Sequence, residues 1–205
     1  MSRFDDEAKN WDNDPIHLQI SNNVSKAILE NTDLTNDMEA FEYGCGTGLL
    51  SFALHEHLGS ITMADNSEGM LEVLNNKIKD SGIDNMHAVK LDLTDGNMPE
   101  RKYDLIFTQM TLHHIPDTES ILKTFHNMLH PSGYLCVADL DSEDGSFHGK
   151  DVTDVHKGFD RNRLAEKAKK AGFNDISFQT AFQLEKEIED GSKQKFPIFL
   201  MIAKA

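Results

Sequence analysis

The amino-acid sequence predicts an α/β fold: a three-layer sandwich on a mostly parallel seven-stranded sheet whose last strand is antiparallel, with a helical cap at the amino end. Three observations carry this reading. Short apolar strands alternate with helical stretches between residues 38 and 140, the rhythm of repeated βαβ units around a parallel sheet. A glycine-rich turn closes the first of these strands and opens a helix. Two more strands stand at the carboxyl end with a short polar connection between them, so the last returns antiparallel to its neighbour.

Taken in order, the first element is a helix over 15–30, where Ile16, Ile20, Val24, Ala27 and Ile28 recur at three- and four-residue steps. Strands follow at 40–43, 60–64, 88–91, 104–108 and 134–139, linked by helices near 49–58, 67–80 and 117–129. After a polar, glycine-containing run over 141–149, a helix over 161–171 stops at Gly172, a residue suited to a left-handed cap. Strands at 175–184 and 196–203 end the chain, joined through 186–195. With 205 residues, no repeats and no low-complexity segment, one domain is expected.

Composition narrows the partners. Thirty-five acidic residues against twenty basic ones leave a formal charge of −15, spread along the chain. Such a surface repels phosphate backbones and anionic headgroups, so neither nucleic acid nor membrane is an expected partner. Cys45 and Cys136 are far apart and form neither a CxxC pair nor a metal-ligand spacing. No run approaches the ~20 apolar residues of a membrane span. A soluble cytoplasmic protein, monomer or homodimer, is the expectation.

The turn reads Phe41-Glu42-Tyr43-Gly44-Cys45-Gly46-Thr47-Gly48 and lies where an α/β sheet takes a ligand, at its carboxyl edge. Glycines let the backbone approach a ligand closely, and the following helix presents unpaired N–H groups. In the nicotinamide fingerprint G-x-G-x-x-G the third glycine falls where Leu49 stands; Gly48 arrives one residue early, which counts against a dinucleotide. A tight turn with no ligand is the bland alternative. Asp65 closes the second strand 21 positions after Gly44, matching the ~20-residue spacing at which a carboxylate reaches a ribose diol. Asn66 adds a polar group. Met70, one helical turn on, suits either the face of a purine or plain core. Asp92, after the third strand, suits either an adenine amine or a helix cap.

Together these residues resemble class I S-adenosylmethionine-dependent methyltransferases, and are most similar to the small-molecule branch of ubiquinone and menaquinone biosynthesis. Residues 42–48 resemble the family's first motif, and Met63-Ala64-Asp65-Asn66-Ser67 through Met70-Leu71 its second-strand signature. Leu91-Asp92-Leu93 is similar to the adenine-contacting position. Tyr103-Asp104-Leu105-Ile106-Phe107 through Leu112-His113-His114-Ile115-Pro116-Asp117 resembles the fourth strand and its loop, and Leu129-His130-Pro131-Ser132-Gly133-Tyr134 the turn before strand five. The resemblance implies a Rossmann-like fold, S-adenosylmethionine as cofactor and S-adenosylhomocysteine as product. It also implies that Gly44, Cys45 and Gly46 touch the methionine moiety, Asp65 the ribose, Asp92 with Leu93 the adenine, and that Gln109 lies near the methionine part. Segment 4–14, with Trp11 and Asp12, resembles the piece that folds over the cofactor, though Trp11 serves equally as a packing anchor. Two departures stand out: Ser132 replaces a usual glycine and Asn66 a usual isoleucine or valine.

On this reading residues 1–36 form the cap, 37–140 the cofactor-binding core, and 141–205 a helix and hairpin contributing to the acceptor pocket. Methyl transfer from a sulfonium is an in-line displacement with a neutral leaving thioether, so positioning does most of the work. A base matters only where the acceptor loses a proton early. His113 and His114, after the fourth strand, are the candidate bases; local packing is their alternative. His148 and His156 fall in the segment expected to meet a small-molecule acceptor. These four histidines with Asp139, Asp141 and Asp144 show no i, i+4 ligand pair with a third ligand in clear reach, so no metal is expected. An accessory protein that binds the cofactor without transferring methyl is the competing class.

Overall fold

The computed structural model describes residues 3–148, 152, 154–189 and 191–205. Met1, Ser2 and Gly149, at the ends of the expected amino-terminal cap and polar run, lie outside them. A short helix α1 (Arg3–Glu7) leads through a 3-10 turn into α2 (Pro15–Asn31). Asp14 starts α2 by accepting the Ile16 N–H at 2.9 Å, and Pro15 gives up no needed donor in the first turn.

The alternating region then runs β1 (Glu39–Tyr43), α3 (Leu49–Leu54), β2 (Ser60–Asp65), α4 (Glu68–Ser81), β3 (Met86–Lys90), β4 (Tyr103–Gln109), α5 (Thr118–Met128) and β5 (Leu129–Leu140). After α6 (Arg161–Ala171) come β6 (Asn174–Glu187) and β7 (Lys193–Lys204). The seven strands lie in the order β3-β2-β1-β4-β5-β7-β6, with β1 to β5 parallel and β7 antiparallel to both neighbours. The expected sandwich and its reversed last strand are both present.

Successive strand residues point to opposite faces, and both faces are buried. Ala40, Leu105, Phe107, Cys136 and Ala138 pack with α2, α3 and α4 on one side. Phe41, Tyr43, Ile106, Leu135 and Val137 pack with α5 and α6 on the other. Burial on both faces explains the nearly unbroken apolar run of β7 from Phe196 to Ala203.

Two boundaries and one backbone conformation stand out against the sequence expectation. The helix expected over 49–58 ends at Leu54 and tightens into a 3-10 turn, His55–His57. Half of the polar connection over 186–195 is strand: Glu187 pairs with Lys193, and the Gly191 N–H donates to the Ile188 carbonyl in the turn between. Alternating polar residues on an edge strand conceal that pairing. Ser132 has φ 67°, a left-handed conformation that glycine adopts without strain, which accounts for the glycine usual there.

Candidate functional site

The strand order reverses between β1 and β4, and such a switch opens a crevice at the carboxyl edge of the sheet. β1 delivers the glycine turn to this crevice. Gly44 and Cys45 donate their N–H groups to the Ala64 carbonyl at 2.8 and 3.0 Å, fastening the turn to the end of β2. Gly44, Gly46 and Gly48 all have positive φ, yet they are glycines for different reasons. A Cβ on Gly44 would stand 2.3 Å from Thr111, and one on Gly48 would stand 2.6 Å from Leu74. A Cβ on Gly46 would meet only the Met70 sulfur, at 3.9 Å, and otherwise enter the cleft. Packing accounts for the outer two glycines; the open space beside Gly46 remains available to a ligand.

Asp65 ends β2 beside this space. One carboxylate oxygen accepts the Gly46 N–H and the other the Ser67 N–H, each at 2.8 Å. Burial pushes its carboxyl above the ordinary range, against the pull of the Ser67 and Gly46 donors. A carboxylate has about four lone-pair sites, so two protein donors leave capacity for a diol. Met70 is buried and also lines the cleft, so core packing and a place on the cleft wall coexist. Asp92 accepts the Thr94 N–H at 2.8 Å and hydroxyl at 2.6 Å, the Tyr43 hydroxyl at 3.3 Å and the Asn66 amide at 3.2 Å. Against partial burial, the hydrogen bonds from Thr94, Asn66 and Tyr43 hold its carboxyl below the usual range. It caps a 3-10 turn and still borders the cleft.

Gln109 closes β4 and donates to the Ser21 hydroxyl of α2 at 2.8 Å, while its side-chain oxygen is buried without a protein partner. The cleft lined by these residues measures about 1230 Å³, above the ~300–1,000 Å³ of single-ligand pockets.

The amino-terminal segment covers one end. Asp5 accepts the Ser67 hydroxyl at 2.6 Å and the Gly69 N–H at 3.1 Å, at the start of α4. Asp12 accepts the Thr47 hydroxyl at 2.5 Å and pairs with Lys77 at 2.7 Å. Trp11 stacks on His17 with 3.9 Å between ring centroids while lining the cleft, so it is both packing anchor and wall. Phe4 sets its ring edge-on to His114.

Beside Phe4 on the cleft wall, His113, His114 and His148 come together. His113 follows β4 in a 3-10 turn and is held by Asp139 of β5, which accepts its Nδ1–H at 2.7 Å and its backbone N–H at 3.1 Å. The Nε2 of His113 is buried and has no hydrogen-bond partner. His148 arrives from the loop after β5, a separation along the chain that hides the meeting from any reading of spacing.

Two expectations need correction. Leu93 buries its side chain in the core beside α5, and its N–H is taken by the Tyr43 hydroxyl at 3.3 Å, so it does not line the cleft. His156 is a staple instead of an acceptor contact: its Nε2 lies 2.9 Å from the Ile115 carbonyl, and its N–H donates to the His113 carbonyl at 2.8 Å. Sequence reasoning also missed Glu42, buried against the Ser51 hydroxyl on the cleft wall. Burial pushes its carboxyl up to about 8, against the Ser51 hydrogen bond. An acidic residue inside an apolar strand was the available signal. The Cys45 thiol is likewise raised by burial, which leaves it unreactive near neutral pH.

Residues 34–170 match the profile of a methyltransferase domain. The chain belongs to the class I S-adenosylmethionine-dependent methyltransferases. It is 32% identical over 137 residues to an uncharacterized methyltransferase of Schizosaccharomyces pombe, covering 60% of this chain and 48% of that one. It is 28% identical over 140 residues to the ubiquinone biosynthesis O-methyltransferase of Coxiella burnetii, covering 66% and 58%. The chain thus spans about half the length of these relatives. Among solved structures, phosphoethanolamine N-methyltransferase 2 of Haemonchus contortus with S-adenosyl-L-methionine superposes with a TM-score of 0.73 at 15% identity, covering 100% of this methyltransferase and 60% of that chain. That likeness concerns the fold.

Proposed function

We propose that this methyltransferase transfers a methyl group from S-adenosylmethionine to a small-molecule acceptor held in the same cleft. The observation that carries the reading is the opening at Gly46, bounded by Asp65 and Met70, where an added Cβ would meet only the Met70 sulfur within 4 Å. When bound, the cofactor supplies an electrophilic methyl on a sulfonium. Asp65 offers its remaining lone pairs to the ribose, Asp92 and Asn66 border the adenine, and the backbone at 44–46 with Gln109 borders the methionine part. On this reading residues 37–140 form the cofactor-binding core, 1–36 a cap, and 141–205 contribute to the acceptor pocket.

The histidine cluster lies on the acceptor side. In its neutral form His113 keeps a proton on Nδ1, facing Asp139, and leaves a lone pair on the buried Nε2 beside the cleft. That orientation suits a base for an O–H or N–H acceptor, and His114 stands beside it with ring centroids 4.1 Å apart. The names of the quinone relatives support a phenolic acceptor. Two buried, unbridged thiols fit a reducing cytoplasm. No helix among the described residues is long and apolar enough to cross a membrane.

Calorimetry with S-adenosylmethionine and S-adenosylhomocysteine, followed by a mass-spectrometric screen of phenols, quinols and amines for a gain of one methyl, tests the proposal. Saturable binding of both and one methylated acceptor are expected. No heat at millimolar ligand sinks the cofactor assignment. Binding without turnover across the panel instead favours an accessory role.

A further inference from the structure

We propose that His113, His114 and His148 form a binding site for one divalent transition-metal ion, of which zinc fits the ligand set best, at the acceptor end of the cleft. Their candidate ligand nitrogens all lie within 4.8 Å of one another. Each of the three rings neighbours the other two, with centroids 4.1 to 5.4 Å apart. Neutral imidazole is a favoured ligand for zinc, and three protein ligands leave a fourth position for water or substrate.

The independent observation is His113 itself. Its side chain is only 1% exposed and Asp139 is fully buried. Asp139 also accepts the Leu140 N–H at 2.7 Å, so three N–H groups converge on this carboxylate. That holds the His113 proton on Nδ1 and leaves Nε2 as a buried lone pair with no hydrogen-bond partner, on the side where His114 and His148 stand. A carboxylate behind a ligating imidazole is the arrangement that orients histidines at metal sites.

At a metal–nitrogen distance of about 2.0–2.1 Å in tetrahedral geometry, ligand nitrogens sit roughly 3.4 Å apart, so the rings need to close by about an ångström. Side-chain rotation of His148, on the loop after β5, and of the half-buried His114 would bring this closure about.

With a fourth position open to the cleft, the ion would also lower the pKa of an acceptor hydroxyl bound to it. That would replace proton acceptance by His113 with coordination. The site stands on its own geometry and needs no assumption about the methyl donor.

The test uses the full chain, stripped with a chelator, titrated with zinc by calorimetry and with cobalt(II) by visible spectroscopy. One equivalent binds, and cobalt(II) gives the intense absorption of a tetrahedral site. His148→Gln and His114→Gln each abolish that stoichiometric binding, while His87→Gln, at an exposed position on β3, leaves it intact. Asp139→Asn weakens affinity roughly 10–100-fold, the usual scale for a supporting carboxylate; circular dichroism verifies that each variant is folded. No binding to the wild type at 100 micromolar metal overturns the proposal, as does binding that His148→Gln leaves unchanged. Either result leaves the methyltransferase reading untouched.

Discussion

At Asp65 one carboxylate serves two purposes: it ties the glycine turn to α4 and keeps lone pairs for a sugar. Replacing it with alanine is expected to weaken S-adenosylmethionine binding by roughly 1–3 kcal/mol, the cost of losing a hydrogen-bonded charged acceptor. Unchanged affinity by calorimetry would refute the ribose role. Gly46→Val carries a different signature. Its φ of 53° makes any side chain there strained, by about 1–2 kcal/mol, and the branched group enters the cleft. Thermal melting should show a folded variant, and calorimetry no cofactor heat; wild-type affinity would remove Gly46 from the binding surface. Glu42 makes a pH prediction. Its carboxyl, about 8 in the folded chain, titrates near ~4.3 when unfolded, so between those values the folded state holds the extra proton. Stability from this group is therefore complete below the unfolded value and is lost as pH rises through 8. Glu42→Gln keeps a neutral side chain throughout, so its melting temperature should gain on the wild type from pH 5 to 8 and then level off. A constant difference across melts at these pH values counts against a protonated Glu42.

Among the elements, the amino-terminal segment has the sparsest attachments. α1 and the turn after it meet α4 through Asp5 and Asp12, with little buried apolar side chain beyond Ala8. Asp5→Ala removes a carboxylate from the start of α4, where helix N–H groups stabilise negative charge by roughly 0.3–1 kcal/mol. Hydrogen exchange over residues 3–13 should accelerate while the sheet keeps its protection. Equal acceleration in β4 and β5 would show that the segment is part of the global core. At this scale β7 was legible as an apolar run, whereas β6 was only partly so, because its exposed edge carries polar residues to the tip of the hairpin. Helix ends were readable wherever a cap was chemical: Asp160 accepts the Arg163 N–H at 2.9 Å and Gly172 closes the same helix.

For the whole molecule, a charge of −15 sets repulsion against every compact arrangement. Added sodium chloride screens it, with a Debye length of about 8 Å at physiological ionic strength and about 3 Å at 1 M. The melting temperature should therefore rise with salt; a flat or falling series would mean that the ion pairs outweigh the net charge. The composition, the alternation of strands and helices, and the glycine turn with Asp65 and Asp92 behind it were all visible along the chain, because periodicity and short-range spacing are local properties. Three features were not local. Which glycine faces a ligand depends on Thr111 and Leu74 arriving from other elements. Leu93 was assigned by the family resemblance and His156 by its place in the segment after the fifth strand, and the directions of their side chains send them to the core and to the Ile115 carbonyl. The joining of His113 and His114 to His148 required β4, β5 and the loop beyond to fold onto one edge of the sheet, since contact across 34 intervening positions is set by packing in three dimensions and leaves no period in one.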